Sequence, residues 1–265
     1  MAERTVERVA DPRPDPAPPR RRRNTVLIVA LWAAVLVAIP VVVVVVGHTH
    51  RAAVSPPPVA TSTDLPRQSG IPANIPTDTA HYMGLSPVPA AAAPDFTLTD
   101  QTGHTLTLAS LRGKAVVLTF MDPHCVDICP IVSQEFLDAY RNLGASAANV
   151  VFVAVNVNSF YPSVPAVAAF SAAHRLSTIP SWHFVTGNVA AMQKVWDAYH
   201  ITVAAKSASA DIVHTSIIYF IDPQGQERFV AAPAVDYTSD GTAYLPTNEI
   251  TAWGQGIAQI SQDLT

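Results

Sequence analysis

Apolar and polar positions alternate with different periods along this chain. From Thr25 to Val46 no charged residue interrupts an apolar run of 22 positions. As a helix rising 1.5 Å per residue the run is about 33 Å long, enough for a hydrocarbon core of about 30 Å. Beyond Asp95 the apolar runs are short. Continuous, mostly β-branched stretches at 115–120 (AVVLTF), 150–157 (VVFVAVNV), 183–185, 216–221 (SIIYFI) and 228–231 predict strands, the longest buried on both faces. Between and after them, 131–143, 164–174, 189–199 and 248–264 place apolar residues three and four apart, as amphipathic helices do. Strand and helix therefore largely alternate, which predicts an α/β layer structure: a central sheet covered by helices on both sides. Asp222-Pro-Gln-Gly225 reads as a hairpin turn, so the last strand should run antiparallel to its neighbour.

Composition marks the remaining parts. Most of the 23 prolines precede residue 95. Residues 48–93 are rich in Pro, Ala, Ser and Thr, with little to bury, and predict an extended linker. Residues 1–24 read as a disordered terminus. Arg20, Arg21, Arg22 and Arg23 stand just before the long apolar run, and Arg51 and Arg67 are the only Lys or Arg in the next fifty residues. The positive-inside rule then keeps residues 1–24 cytoplasmic, makes 25–47 a single transmembrane anchor and places the folded domain, 94–265, outside. A cleaved signal peptide is the competing reading. Its apolar region would be shorter and end in small residues, whereas His48, His50 and Arg51 follow here. Pro40 is tolerated as a kink in a membrane helix.

The net charge of −4 divides unevenly. From Asp95 onward seven Lys or Arg stand against fourteen Asp or Glu, a net −7. A phosphate-binding surface is basic, so nucleic acid is excluded as a partner of this region.

The two cysteines of the chain, Cys125 and Cys129, lie in Phe120-Met-Asp-Pro-His-Cys-Val-Asp-Ile-Cys-Pro130, between a buried-strand pattern and a helical one. A helix N-terminus carries partial positive charge, which lowers thiol pKa and favours the thiolate that attacks disulfides and binds metals. His124 adds to this when protonated. A structural disulfide would close only a five-residue loop, stabilising by about 2 kcal/mol against about 4.7 for a hundred-residue loop. Two free, buried thiols packed as small apolar groups are the other bland reading. Two thiolates hold Cu(I), and an imidazole makes a three-ligand site that suits copper or, with a water, zinc. His214, in Asp211-Ile-Val-His-Thr-Ser216 at the mouth of a predicted strand, is the candidate third ligand. His104, His174, His183 and His200 read as surface or packing residues, and His48 and His50 as solvated linker residues.

Taken together these residues resemble the Sco/SenC family of thioredoxin-fold proteins, from about Pro94 to Leu264. The opening Pro94-Asp-Phe-Thr-Leu98 with Gly103 and Gly113-Lys114 is similar to the entry hairpin of many thioredoxin-like and peroxiredoxin-like proteins. More specific are Cys-x-x-x-Cys-Pro at Cys125 to Pro130, Trp182 with Thr186-Gly187, and His214-Thr215 followed by Asp222-Pro-x-Gly225. The resemblance implies a thioredoxin-like sheet, copper as Cu(I) or Cu(II) on Cys125, Cys129 and His214, and assembly of the copper site of cytochrome c oxidase, whose apo copper subunit would be the partner. The family often has Pro after the first cysteine, Asp before the histidine and Asp-Pro after the second core strand. This chain has Val126, Val213 and Asn158-Ser159 there.

Three activities stay open on the sequence. A metallochaperone uses all three ligands. A thiol-disulfide oxidoreductase, reducing cysteines of a partner protein, needs only Cys125 and Cys129 as attacking and resolving groups. A peroxidase needs a polarising group beside the thiolate, and none is identifiable.

Overall fold

The computed structural model describes residues 66–265 except Ser209 and Asp211. In chain order the elements are α1 (Thr77–Tyr82), β1 (Ser86–Ala92), β2 (Thr97–Thr99), β3 (Thr105–Thr107), β4 (Ala115–Met121), α2 (Ile128–Leu143), β5 (Val150–Asn156), α3 (Val164–Ala173), β6 (Trp182–Val185), α4 (Val189–Ala198), β7 (Val203–Ala204), β8 (Val213–His214), β9 (Ile218–Ile221), β10 (Gln226–Ala231), β11 (Asp236–Tyr237), β12 (Ala243–Tyr244) and α5 (Thr247–Leu264).

Six strands form one mixed sheet in the order β1-β10-β9-β4-β5-β6. β4, β5 and β6 are parallel, while β9, β10 and β1 add antiparallel to one another on the far side of β4. Every residue of β4 and β5 is buried, which is why these segments read as unbroken apolar runs instead of alternating ones. Residues of α1, α2, α3 and α5 pack on one face, and α4 with the β2–β3 hairpin packs on the other. The layered α/β fold expected from the pattern is therefore present, and β10 is antiparallel to β9 as the Asp222–Gly225 turn required. Gly254 lets α5 lie close on α2. A Cβ there would run into the Asp138 side chain and stand 3.0 Å from the Ala139 backbone nitrogen. Glu135, also on α2, is fully buried with neither carboxyl oxygen hydrogen-bonded, and burial pushes its pKa to about 8, so it is held protonated at neutral pH.

The main departure concerns 66–93, expected to be linker. Ile71, Ile75, Ala80, Met83 and Leu85 from this segment enter the core, and β1 forms the sheet edge against β10. Pro87 and Pro89 lie in that strand. An edge strand tolerates proline because one row of its N–H groups has no ladder partner, and the pairing shifts register between Pro87 and Ala91. The folded unit thus begins well before residue 94. The strand expected over 216–221 is shorter, because the Ile217 carbonyl accepts from the Thr119 hydroxyl at 2.9 Å and β9 begins at Ile218.

The expected anchor at 25–47, the terminus at 1–24 and the linker up to residue 65 lie outside the described residues. Among the described residues no helix is long and apolar enough to cross a membrane.

Candidate functional site

β4 delivers the chain to the carboxyl edge of the parallel strands, where Asp122 organises a tight turn. This carboxylate is 5% exposed. Its Oδ1 accepts from the His124 backbone N–H at 2.8 Å and from Asn158 Nδ2 at 2.8 Å, and its carbonyl accepts from the Cys125 N–H at 3.1 Å. Asn158 follows β5 and is itself fixed: Asn156 Oδ1 accepts from the Asn158 N–H at 2.7 Å, and Asn156 Nδ2 donates to Thr186 Oγ1 at 3.1 Å. A chain of polar side chains thus runs from the end of β6 through the end of β5 to the thiol turn. Such a buried network holds its members in one arrangement as long as each is satisfied.

The helix α2 then starts at Ile128. Its first N–H groups have no intrahelical partner, and the N–H of Cys129 points at Cys125 Sγ, 3.4 Å away. The spacing of four places one sulfur over the amino end of the helix that carries the other. Both thiols are free, Cys125 half-buried and Cys129 only 2% exposed.

Their protonation is unequal. Hydrogen bonding from the Cys129 thiol, helped by the backbone N–H groups of Cys129 and Asp127, lowers Cys125 to about 7, against the opposing effects of burial and the Asp122 charge. Cys129, as the donor to that sulfur and deep in the core, is pushed well above the ordinary thiol range. As the pH rises through about 7 it is Cys125 that ionises first, its thiolate stabilised by the buried Cys129 thiol. The sequence left the two cysteines undistinguished; in the structure Cys125 is the more exposed and the more readily ionised.

His214 ends β8, which among the described residues pairs with β7 alone, Val203 opposite His214 and Ala204 opposite Val213. Burial lowers its pKa, with the Thr215 carbonyl and Asp122 acting the other way, so the imidazole is neutral at pH 7. Its Nδ1 lies 3.0 Å from the Thr215 carbonyl. A carbonyl only accepts, so Nδ1 carries the hydrogen and Nε2 keeps the lone pair a metal needs.

The three predicted residues share one end of the sheet. The Asp122 charge acts on Cys125, Cys129 and His214 alike. A cleft of about 140 Å3 has Asp122, Cys125 and Asp127 on one wall and Ala208, Ala210 and Ile212, from the segment leading to β8, on the other. Cys129 in turn lines a small pocket with Ser216, just after His214. The segment on either side of the histidine therefore faces the two sulfurs. The ligand set is not closed, however: among the described residues no group of three or more His, Cys, Asp or Glu side chains is close enough together to hold a metal ion. His124, expected to assist Cys125, instead stacks its ring on Tyr161 with centroids 3.7 Å apart.

Asp122, Asn156 and Asn158 were not singled out as site residues in the sequence, apart from the note that Asn158-Ser159 stands where the family has Asp-Pro. The available signal was their position. Each lies at or just past the end of a buried parallel strand, where α/β sheets place their sites.

A family model described as SCO1/SenC matches residues 86–239. The chain belongs to the SCO1/SenC family. Among characterised members, a SCO1 protein homolog of Bacillus subtilis is 24% identical over 133 residues, 49% of this chain and 68% of that protein. A mitochondrial SCO2 homolog of Bos taurus is 28% identical over 139 residues. The match covers 49% of this chain and only half the bovine protein's length. The fold is similar to that of ScoI from Bradyrhizobium japonicum with copper bound, at TM-score 0.51 and 24% identity, covering 66% of this chain and all of that one. It is also similar to Arabidopsis thaliana ScoI with copper bound, at TM-score 0.50 and 20% identity, covering 65% and 99%. The thioredoxin-like sheet of the family is thus the fold found here.

Proposed function

We propose that this chain is a membrane-anchored copper metallochaperone that assists assembly of the copper site of cytochrome c oxidase. Copper is its cargo. Cys125 and Cys129 hold it as thiolates, neutral His214 completes the set through Nε2, and the metal passes by ligand exchange to an apo copper subunit of the oxidase. One observation carries the reading: an accessible, low-pKa thiolate in contact with a second sulfur, with a neutral imidazole on the segment facing both. A soft metal ion asks for this donor chemistry. The copper-bound relatives and the family's implied role in oxidase assembly support it. The anchor would be the run Thr25 to Val46, with the domain on the extracytoplasmic side of the membrane.

The unequal thiols also favour a second reading, reduction of a partner disulfide. Cys125 thiolate would attack a partner sulfur, forming a mixed disulfide as the partner S–S bond breaks. Cys129, after losing its proton, would attack Cys125 Sγ, giving a Cys125–Cys129 disulfide and a partner dithiol. His214 has no part in that step. An anaerobic Cu(I) titration of the reduced full chain against a competing chelator separates the two. Tight one-to-one binding that needs both cysteines supports the chaperone; weak binding leaves the reductase.

A further inference from the structure

The rim of the thiol cleft is unusually apolar. Val126, directly after Cys125, leaves 80% of its surface exposed, more than any other large hydrophobic among the described residues. Phe160 is 42% exposed. Its loop is tied to the thiol turn twice, by the Asn158 to Asp122 hydrogen bond and by the stack of Tyr161 on His124. Isolated exposed apolar side chains are ordinary on protein surfaces. Here Val126 and His124 line the cleft with the half-buried Cys125, and Phe160 and Tyr161 belong to the loop locked to that turn. The cleft itself is lined by Asp122 and Asp127 and by no Lys or Arg.

Ligand exchange at Cys125 requires direct contact, so an incoming donor must enter the cleft that Val126 and His124 line. We propose that Val126, Phe160 and the His124–Tyr161 ring pair form a docking patch continuous with the exchange site. Its occupant is a polypeptide segment whose accepting cysteine is flanked by apolar side chains and, beyond them, by basic ones. The apolar flanks cover the rim, and removing apolar surface from water there favours association. The basic residues complement the carboxylate of Asp127 and the net −7 of the domain. This inference rests on exchange at Cys125, whether of copper or of a disulfide.

The test uses the reduced full chain and three blocked pentapeptides, each carrying its cysteine as a mixed disulfide with pyridinethiol. Their orders are Lys-Leu-Cys-Leu-Lys, Lys-Ser-Cys-Ser-Lys and Glu-Leu-Cys-Leu-Glu. Cys125 thiolate attacks the peptide sulfur, the peptide–pyridyl S–S bond breaks, and the released pyridinethiol is read by absorbance. The first peptide should react about tenfold faster than either of the others, the effect of one or two apolar contacts or a charge pair. Val126→Ser and Phe160→Ser should each cut the preference for leucine to about threefold or less. Their rates with the pyridyl disulfide of free cysteine should be unchanged.

Val213→Ser is the control. Val213 is 69% exposed but alternates with His214 on β8 and points to the opposite face, so it should leave the preference intact. Equal rates for the leucine and serine peptides on the unaltered chain would overturn the patch, as would a loss with Val213→Ser equal to that with Val126→Ser. Copper binding is read separately. Weak copper binding with the preference retained contradicts the chaperone alone, and tight copper binding without the preference contradicts the patch alone.

Discussion

Cys125 and Cys129 stand where a buried strand of seven residues runs into a helix of sixteen, whereas His214 ends a strand of two residues whose ladder partner is equally short. The thiol turn is fixed from three sides, by β4, by α2 and by the polar chain through Asn158 and Asn156. The imidazole is held by a two-residue ladder, by two hydrogen bonds between Thr202 and Thr215 that extend it, and by one hydrogen bond to the next carbonyl. Local stability follows the number of buried contacts and protected hydrogen bonds that a segment must break in order to move. The sulfur half of the proposed set is therefore built in advance, and on the proposed reading the nitrogen half would be brought up by the β7–β8 hairpin as copper binds. A carrier gains from this division, since a ligand on a lightly held segment can also let go.

The sharpest way to break the comparison is to remove a built-in ligand. Cys129→Ser should weaken Cu(I) binding about a thousandfold or more, roughly 4 kcal/mol, in the chelator competition. A loss no greater than that caused by His214→Ala would show that the two halves contribute alike.

The pH dependence of the same affinity comes next. Copper competes with protons for both sulfurs. Below about 7, where Cys125 is also protonated, two protons must leave, so affinity should rise about a hundredfold per pH unit. Above it only the Cys129 proton remains, and the slope should fall to about tenfold per unit. His214, with its pKa lowered by burial, adds no proton in the neutral range. A constant slope between pH 6 and 9 would contradict the unequal thiols.

Asn158→Ala probes the scaffold of the turn. It removes a buried donor from the Asp122 carboxylate and should cost about 1–3 kcal/mol in denaturant unfolding. The smallest effect on copper affinity should be that of His214→Ala, which leaves the thiols in place and should weaken Cu(I) about tenfold, near 1.4 kcal/mol.

How much of this was legible in the sequence depended on how many residues shared each signal. β4 and β5 were readable because strands buried on both faces cannot alternate, so AVVLTF and VVFVAVN stand out. The cysteines were readable because thiols are few and their spacing across a strand-to-helix change has a chemical reason. Residues 66–93 were misjudged because Pro and Ala dominate locally, while the residues that dock the segment, Ile71, Ile75, Met83 and Leu85, are scattered singly among them. Their burial is decided by α5 and the sheet, which lie far away in the chain. Asp122 and Asn158 were hidden for a related reason: one polar residue after a strand looks like any loop residue until the fold brings two such ends side by side. The β7–β8 pairing was equally silent, since two-residue strands leave no period to read.

The most direct test of the two-part site is copper-edge X-ray absorption on the Cu(I)-loaded chain and its His214→Ala form at neutral pH. The account predicts two sulfur donors and one nitrogen donor in the unaltered protein, with the nitrogen lost and both sulfurs kept in the variant. Identical spectra, with sulfur donors alone in both, would show that the hairpin never closes on the metal and would contradict the proposed three-ligand site.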